Sequence, residues 1–210
     1  MKMIKTRKDL KLYLEADGKA NNMSKEWLKK FTYNDNYLVN RHLRLLRKYE
    51  YNINNPYWYY IPIRYYYAFK YRKSQVKTNM VIFPNTMDPG LFLMHPGFRR
   101  IDRMVQAGKN CTILPMVLFG KKRPTDIDST ITIGNNCYIG TGATILGPVT
   151  IGNNVTVAAG AVVLNGVPDN AVAGGASDNI LEIKLLNRIR GMKQRAKFFV
   201  PATDKGRRVA

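Results

Sequence analysis

Few side chains in this chain can move a proton near neutral pH, and their positions narrow its chemistry. There are two histidines, His42 and His95. His95 stands in LFLMHPGF (residues 91–98), among helix-breaking Pro and Gly residues. An imidazole held in such a turn can take the proton from an alcohol as it attacks an acyl carbon. His42 falls on the apolar stripe of a helical segment among arginines, a place for packing or for the surface. The two cysteines, Cys111 and Cys137, occupy equivalent small apolar positions of a repeat and read as structural thiols. No Cys/His spacing has the form of a zinc site, so no metal is expected.

The repeat that must position His95 runs from Ile133 to Gly174. An apolar residue returns every sixth position: Ile133, Ile139, Ile145, Ile151, Val157 and Val163. Gly134, Gly140 and Gly152 each follow one of them, where glycine would allow the backbone angles of a tight corner. A period of six fits neither an α-helix nor a half-buried strand. It fits a parallel β-helix whose chain turns a corner every six residues, three sides closing one triangular coil. Counted backwards, the phase passes through Ile127 and then, after a spacing of eight, through Phe119, Ile113, Ala107 and Ile101. That spacing predicts two additional residues bulging as a loop within GKKRPTD (120–126). A loop on a rigid coil is a usual place for functional residues.

Charge divides the chain into three. Residues 1–79 hold 18 basic and 6 acidic residues (+12), residues 80–178 hold 7 and 6 (+1), and residues 179–210 hold 9 and 2 (+7). The expected organisation is a basic, aromatic-rich helical region over 1–79, the β-helix over 80–178, and a basic helix and tail over 179–210. Basic ends suit anionic lipid, a polyanionic substrate or plain solvation. No apolar run is long enough for a membrane span or a signal core, so the expected location is the cytoplasm, with the inner face of the membrane as a further expectation.

In the first region, residues 4–16 and 36–50 space their apolar residues as helices do, and Ser24 reads as the N-cap of a helix beginning KEWLKKF. Pro56–Arg72 combines seven Tyr, one Trp and one Phe with three basic residues. Such a mixture suits a membrane interface, sugar stacking or base stacking, or a helix that packs its aromatic face on the end of the coil. No nucleic-acid-binding motif accompanies it, so nucleic acid is not an expected partner. NILEIKLLNRIRGMKQRAKFF (179–199) reads as a helix, and Pro201 onward as disordered.

Residues from about 88 to 176 resemble the serine O-acetyltransferase branch of the hexapeptide-repeat acyltransferases. The likeness rests on GLFLMHPG, then AGKNCTILPMVLFGKK, then ITIGNNCYIGTGATILGPVTIGNNVTVAAGAVVLNGVPDNAVAGG. It implies a mainly β fold, a left-handed parallel β-helix with an N-terminal helical region and a C-terminal helix or tail, assembled as a homotrimer. It implies transfer of acetyl from acetyl-CoA to a hydroxyl, with His95 as general base. By the same resemblance, a backbone N–H near Gly120 would serve the oxyanion. The pantetheine arm would pass Thr141, Gly142, Ala159 and Gly160, and Lys121, Lys122 or Arg123 would meet the CoA phosphates.

Several positions depart from that family's pattern. The family's Asp before the catalytic His is Met94, and the carboxylate fifteen residues before it is Met80. Its second active-site His falls on Thr130, its loop GG is Gly120-Lys121, and its AGVPA ending reads AGGAS before Asp178. Asp88, Asp102 or a backbone carbonyl is left to orient His95. An ammonium-bearing acceptor loses its expected counter-ion, which directs the expectation to a saccharide hydroxyl of a surface-polysaccharide precursor. The alternatives are serine as acceptor and a non-catalytic trimeric scaffold.

Overall fold

The computed structural model describes residues 3–23, 31–32, 34–175 and 180–181. The helix expected after Ser24 lies outside the described residues, as does the basic tail apart from Ile180–Leu181, which form a strand where a helix was expected.

Among the described residues, three α-helices are laid out ahead of the coil. Helix α1 (Arg7–Ala20) starts at a capping box, in which the Thr6 hydroxyl accepts from Asp9 N and the Asp9 carboxylate accepts from Thr6 N. Helix α2 (Asp35–Ile53) starts at Asn34, whose side chain accepts from Asn36 N. A single 3-10 turn (Trp58–Tyr60) leads into α3 (Ile61–Thr78), with Pro62 in its first turn where its missing N–H costs nothing. Asn79 closes α3 in the left-handed conformation and turns the chain directly into the first strand.

Strands then wind into three parallel faces. The first stacks β1 (Met80–Ile82), β3 (Arg99–Ile101), β6 (Leu118–Lys121), β9 (Thr144–Gly147) and β12 (Val162–Val163). The second stacks β4 (Val105–Ala107), β7 (Ile131–Ile133) and β10 (Val149–Ile151). The third stacks β2 (Phe92–Leu93), β5 (Thr112–Ile113), β8 (Tyr138–Ile139), β11 (Thr156–Val157) and β13 (Val172–Ala173), with β14 (Ile180–Leu181) added antiparallel. Thr132 pairs with Thr150, Tyr138 with Thr156, and Thr144 with Val162, so one turn of the coil takes eighteen residues. All six periodic residues from Ile133 to Val163 are buried in one continuous core that also takes in Leu43, Leu46 and Tyr71 of the helices.

The excursion differs from its sequence reading. Leu118 pairs with Thr144, a separation of 26, so eight residues leave the coil at the corner between the first and second faces, not two. Ile127 is fully exposed and is no marker, while Ile131 is buried in its place. The apolar phase survived through the loop because fourteen residues from Phe119 to Ile133 divide equally well as eight and six.

The glycines that follow the apolar markers act by closeness and not by dihedral angle. The left-handed corner residues are Asn110, Asn136, Asn154 and Asn170 at one corner, and Met116, Gly142 and Gly160 at another. A Cβ on Gly140 would lie 2.5 Å from Ala159 N, and one on Gly134 would lie 2.6 Å from Gly152 C. The next coil's backbone occupies that space and cannot yield as a side chain could. Gly140→Ala is therefore expected to destabilise by about 1–3 kcal/mol, lowering Tm by roughly 2–4 °C per kcal/mol in a thermal melt.

The aromatic segment meets the end-packing alternative on one side only. Only one side of α3 packs: Tyr71 is buried, donates to Ile82 O at 2.6 Å, and stacks on Tyr49 of α2 at 5.8 Å. Its other aromatic face points outward.

The helices are docked by a buried ionic cluster. Arg47 donates to Asp17 (2.8 Å) and Glu50 (3.0 Å), and its remaining N–H groups reach the carbonyls of Met87 (2.8 Å) and Asp88 (3.2 Å) on the first turn of the coil. Asp17 accepts in return from Gly90 N and Leu91 N, and Glu50 from Asn85 N. Burial opposes the Arg47 charge, and the two carboxylates outweigh it, pushing the guanidinium pKa up.

Candidate active site

His95 sits where the chain turns from the third face to the first in the uppermost coil. Leu93 pairs with Ile113 and Arg100 with Leu118, so this corner is two residues longer than the one beneath it. The added length lifts His95 out on a left-handed backbone (φ 56°). Such a conformation is rare outside glycine and Asn, and it persists only where neighbours impose it. Arg99 is the neighbour that does so. Wholly buried, its guanidinium donates to the carbonyls of Met94, His95 (2.8 Å) and Ile113 (3.1 Å). Burial lowers its pKa to about 10, which leaves it cationic at neutral pH.

The imidazole meets a carboxylate that the linear sequence did not connect with it. His95 Nδ1 lies 2.8 Å from Asp35 Oδ2, with the two side chains 60% and 45% exposed. Asp35 is the first residue of α2, where the helix dipole favours an anion. The hydrogen bond from His95 holds its carboxyl below the usual carboxylate range. An ionised Asp35 can only accept, so Nδ1 carries the proton and Nε2 is the basic nitrogen. Neither carboxylate expected from sequence occupies this role. Asp88 accepts from Tyr13 OH at 3.2 Å, and Asp102 from Arg100 Nε at 3.0 Å. A helix was expected over residues 36–50, but not its start at Asn34 and Asp35. Nothing in sixty residues of spacing tied Asp35 to His95.

The departures from the family pattern have clear positions. Met80 is fully buried, its sulfur 3.1 Å from Arg99 Nη1, and Met94 is exposed beside His95. Thr130 lies on the exposed excursion, its N–H bonded to Asp128 Oδ1. His42 is buried against Ser74 Oγ at 3.1 Å, and burial drops its pKa to about 3. It is a neutral packing residue.

Below His95, the same corner recurs as Pro115-Met116, Thr141-Gly142 and Ala159-Gly160. These turns are tied by bonds from Gly142 N to Pro115 O (3.1 Å) and from Gly160 N to Thr141 O (2.8 Å). A Cβ on Gly160 would meet nothing within 4 Å, and one on Gly142 only Gly160 N at that limit. The corner is therefore open along its length, a track that an extended thin chain can follow close to the backbone. Gly120, Lys121 and Lys122 lie at the other edge of the first face, so a single chain does not bring them to this corner. Lys121 Nζ donates to Asp126 O at 2.9 Å and closes the excursion on itself. Among the described residues no group of three or more His, Cys, Asp or Glu could hold a metal ion.

Residues 130–165 match the family model described as bacterial transferase hexapeptide (six repeats). The coil is a hexapeptide-repeat β-helix. No curated protein matches the chain. Among solved structures, a Neisseria gonorrhoeae serine acetyltransferase superposes with a TM-score of 0.61 at 22% identity, covering 84% of this chain and 68% of its own. A soybean serine acetyltransferase gives 0.59 at 22%, covering 82% and 68%. The serine acetyltransferase of Brucella abortus strain S19, in a complex with coenzyme A, gives 0.57 at 24%, covering 83% and 66%. These likenesses establish the hexapeptide coil as a left-handed parallel β-helix preceded by helices.

Proposed function

We propose that the chain is an acetyl-CoA-dependent O-acetyltransferase with His95 as its general base. The observation that carries this reading is the His95–Asp35 pair at the head of the open corner formed by Met116, Gly142 and Gly160. His95 Nε2 takes the proton of the acceptor hydroxyl as its oxygen bonds to the thioester carbonyl. The carbon–sulfur bond then breaks, and the CoA thiolate leaves with the proton returned from the imidazolium. Asp35 keeps Nδ1 protonated throughout and stabilises the imidazolium. The pantetheine arm follows Thr141, Gly142, Ala159 and Gly160. In a homotrimer, the edge bearing Gly120, Lys121 and Lys122 comes from a neighbouring copy to complete the site.

Serine is the acceptor that the similar structures support more directly, since their names specify it. A saccharide hydroxyl is the second reading. It rests on Met94, which leaves an apolar side chain where an amino-acid ammonium would need a carboxylate. CoA release measured with L-serine and with an acetyl-acceptor glycan separates the two, and the acceptor that turns over identifies the reaction.

Asp35→Asn tests the pair itself. An amide can present its carbonyl or its NH2 to Nδ1, so the tautomer is no longer imposed. The expected result is a fall in kcat of roughly a hundredfold with KM little changed, less than the ~10⁴ seen where such a carboxylate is buried, because water here shares its role. Partial recovery in Asp35→Glu would mark a positioning role. The depressed Asp35 pKa also implies a stabilising contribution present above its unfolded value and lost as pH falls through the folded one. That acid-limb loss in a pH series of melts is expected to be small, since the pair is about half exposed, and absent in Asp35→Asn.

A further inference from the structure

We propose that the outward face of the Trp58–Tyr60 turn and helix α3 is a docking surface for an anionic lipid bilayer. Trp58, Tyr65 and Phe69 are 79%, 72% and 67% exposed, and Tyr59, Tyr66 and Val76 extend the same exposed surface. Spacings of three and four residues from Pro62 through Tyr65, Tyr66 and Phe69 to Val76 place them along one side of the helix. The opposite side is already occupied, through Tyr71, by α2 and β1. Large aromatic rings on an outer face are costly in water and have no partner role in the core beneath them.

Charge decides the occupant. Arg64, Lys70, Arg72, Lys73 and Lys77 are interspersed with the aromatics, and no acidic residue occurs between Tyr51 and Met87. A second copy placed face to face would oppose Lys70, Arg72, Lys73 and Lys77 with the same four cations, Arg64 being turned inward to donate to Asn55 O, in a chain that carries +20 overall. An anionic bilayer neutralises them, and its interfacial zone is where Trp and Tyr rings partition. Lys70 lies 5.2 Å over the Tyr66 ring, an arrangement in which the ammonium can reach a headgroup while the ring enters the acyl boundary. No described helix is long and apolar enough to cross a membrane, so α3 would lie in the interface plane, about 27 Å along its axis.

The surface is joined to the site. Thr78 O, at the end of α3, accepts from Gly97 N at 3.1 Å, and Asn79 O accepts from Arg99 N at 3.3 Å. A docked α3 therefore holds the His95 turn next to the bilayer, where a hydroxyl on a lipid-borne acceptor would be presented. Docking does not depend on acetyl transfer, and binding is read without turnover, so either idea can fail alone.

The test is co-sedimentation of the full chain with vesicles of phosphatidylcholine alone and of phosphatidylcholine mixed with phosphatidylglycerol. Pelleting only with the anionic vesicles is expected, reversed by salt. In K70Q/K73Q/K77Q, the partition coefficient should fall about fivefold for each lysine neutralised. In W58S/Y65S/F69S it should fall at least tenfold, with Tm unchanged because these side chains are exposed. Three results overturn the proposal. One is equal binding to both vesicle types, or to neither. Another is anionic binding that the aromatic substitutions leave untouched, which would assign it to basic residues elsewhere. The last is a change of oligomeric state in the aromatic variant with vesicle binding intact, which would assign the face to a second copy.

Discussion

His95→Ala is expected to lose between about 10²- and 10⁴-fold in kcat for acetyl transfer while keeping its fold and assembly. The loss follows from the chemistry: without Nε2 there is no base to take the hydroxyl proton as the oxygen attacks. The fold should survive because the imidazole is more exposed than buried, and its bond to Asp35 is a surface pair worth no more than about 1 kcal/mol. The turn is held from below by Arg99, which bonds the His95 carbonyl and not its ring. Tm, light scattering and thioester cleavage together check the prediction. Undiminished CoA release in the variant would exclude His95 as the base. A wild-type chain that releases no CoA with any hydroxyl acceptor would leave the coil a scaffold.

Arg47→Leu is expected to cost roughly 3–5 kcal/mol, a fall in Tm of about 10 °C in a chain of this size. Leucine fills the space without supplying charge, so Asp17 and Glu50 are left as buried carboxylates without their cation. Met87 O and Asp88 O lose their donors at the same time. The effect should extend to activity. Helix α2 is clamped to the coil at Arg47 and Glu50, and the same rigid helix presents Asp35 to His95 about 18 Å further along. Loosening the clamp is thus expected to lower kcat in the same direction as Asp35→Asn, at temperatures where the coil remains folded. Circular dichroism melts and a kinetic assay on one preparation check both parts. If the helices and coil melt together, unaltered, the ionic cluster is not what docks them.

The repeat was legible because a six-residue period is imposed on every coil by the same geometric requirement: an apolar side chain pointing inward on each side. His95 was legible for a related reason, standing in a fixed relation to that period and to the motifs of a known family. The size of the excursion was not. Ile127 kept the phase by coincidence, and only strand pairing, Leu118 with Thr144, shows that eight residues leave the coil. The glycines beside the markers were correctly placed but wrongly explained, since sequence does not show how near the next coil's backbone comes. Of the sites expected for CoA, the small residues Thr141, Gly142, Ala159 and Gly160 stack below His95. Gly120, Lys121 and Lys122 stand on the far edge of the same face.

The sequence by itself determined the coil, its near-neutral charge between two basic ends, and the place of His95 beside it. These are properties of local period and composition, which a linear reading contains. The tertiary structure decided which carboxylate His95 meets, which arginine holds its backbone, and which side of the Tyr-rich helix faces outward. Asp35, Arg99 and the face of α3 are set by how separate elements dock, through hydrogen bonds and burial between residues up to sixty positions apart. No short-range pattern records such contacts, because the docking is settled by the shape and polar satisfaction of the whole surface.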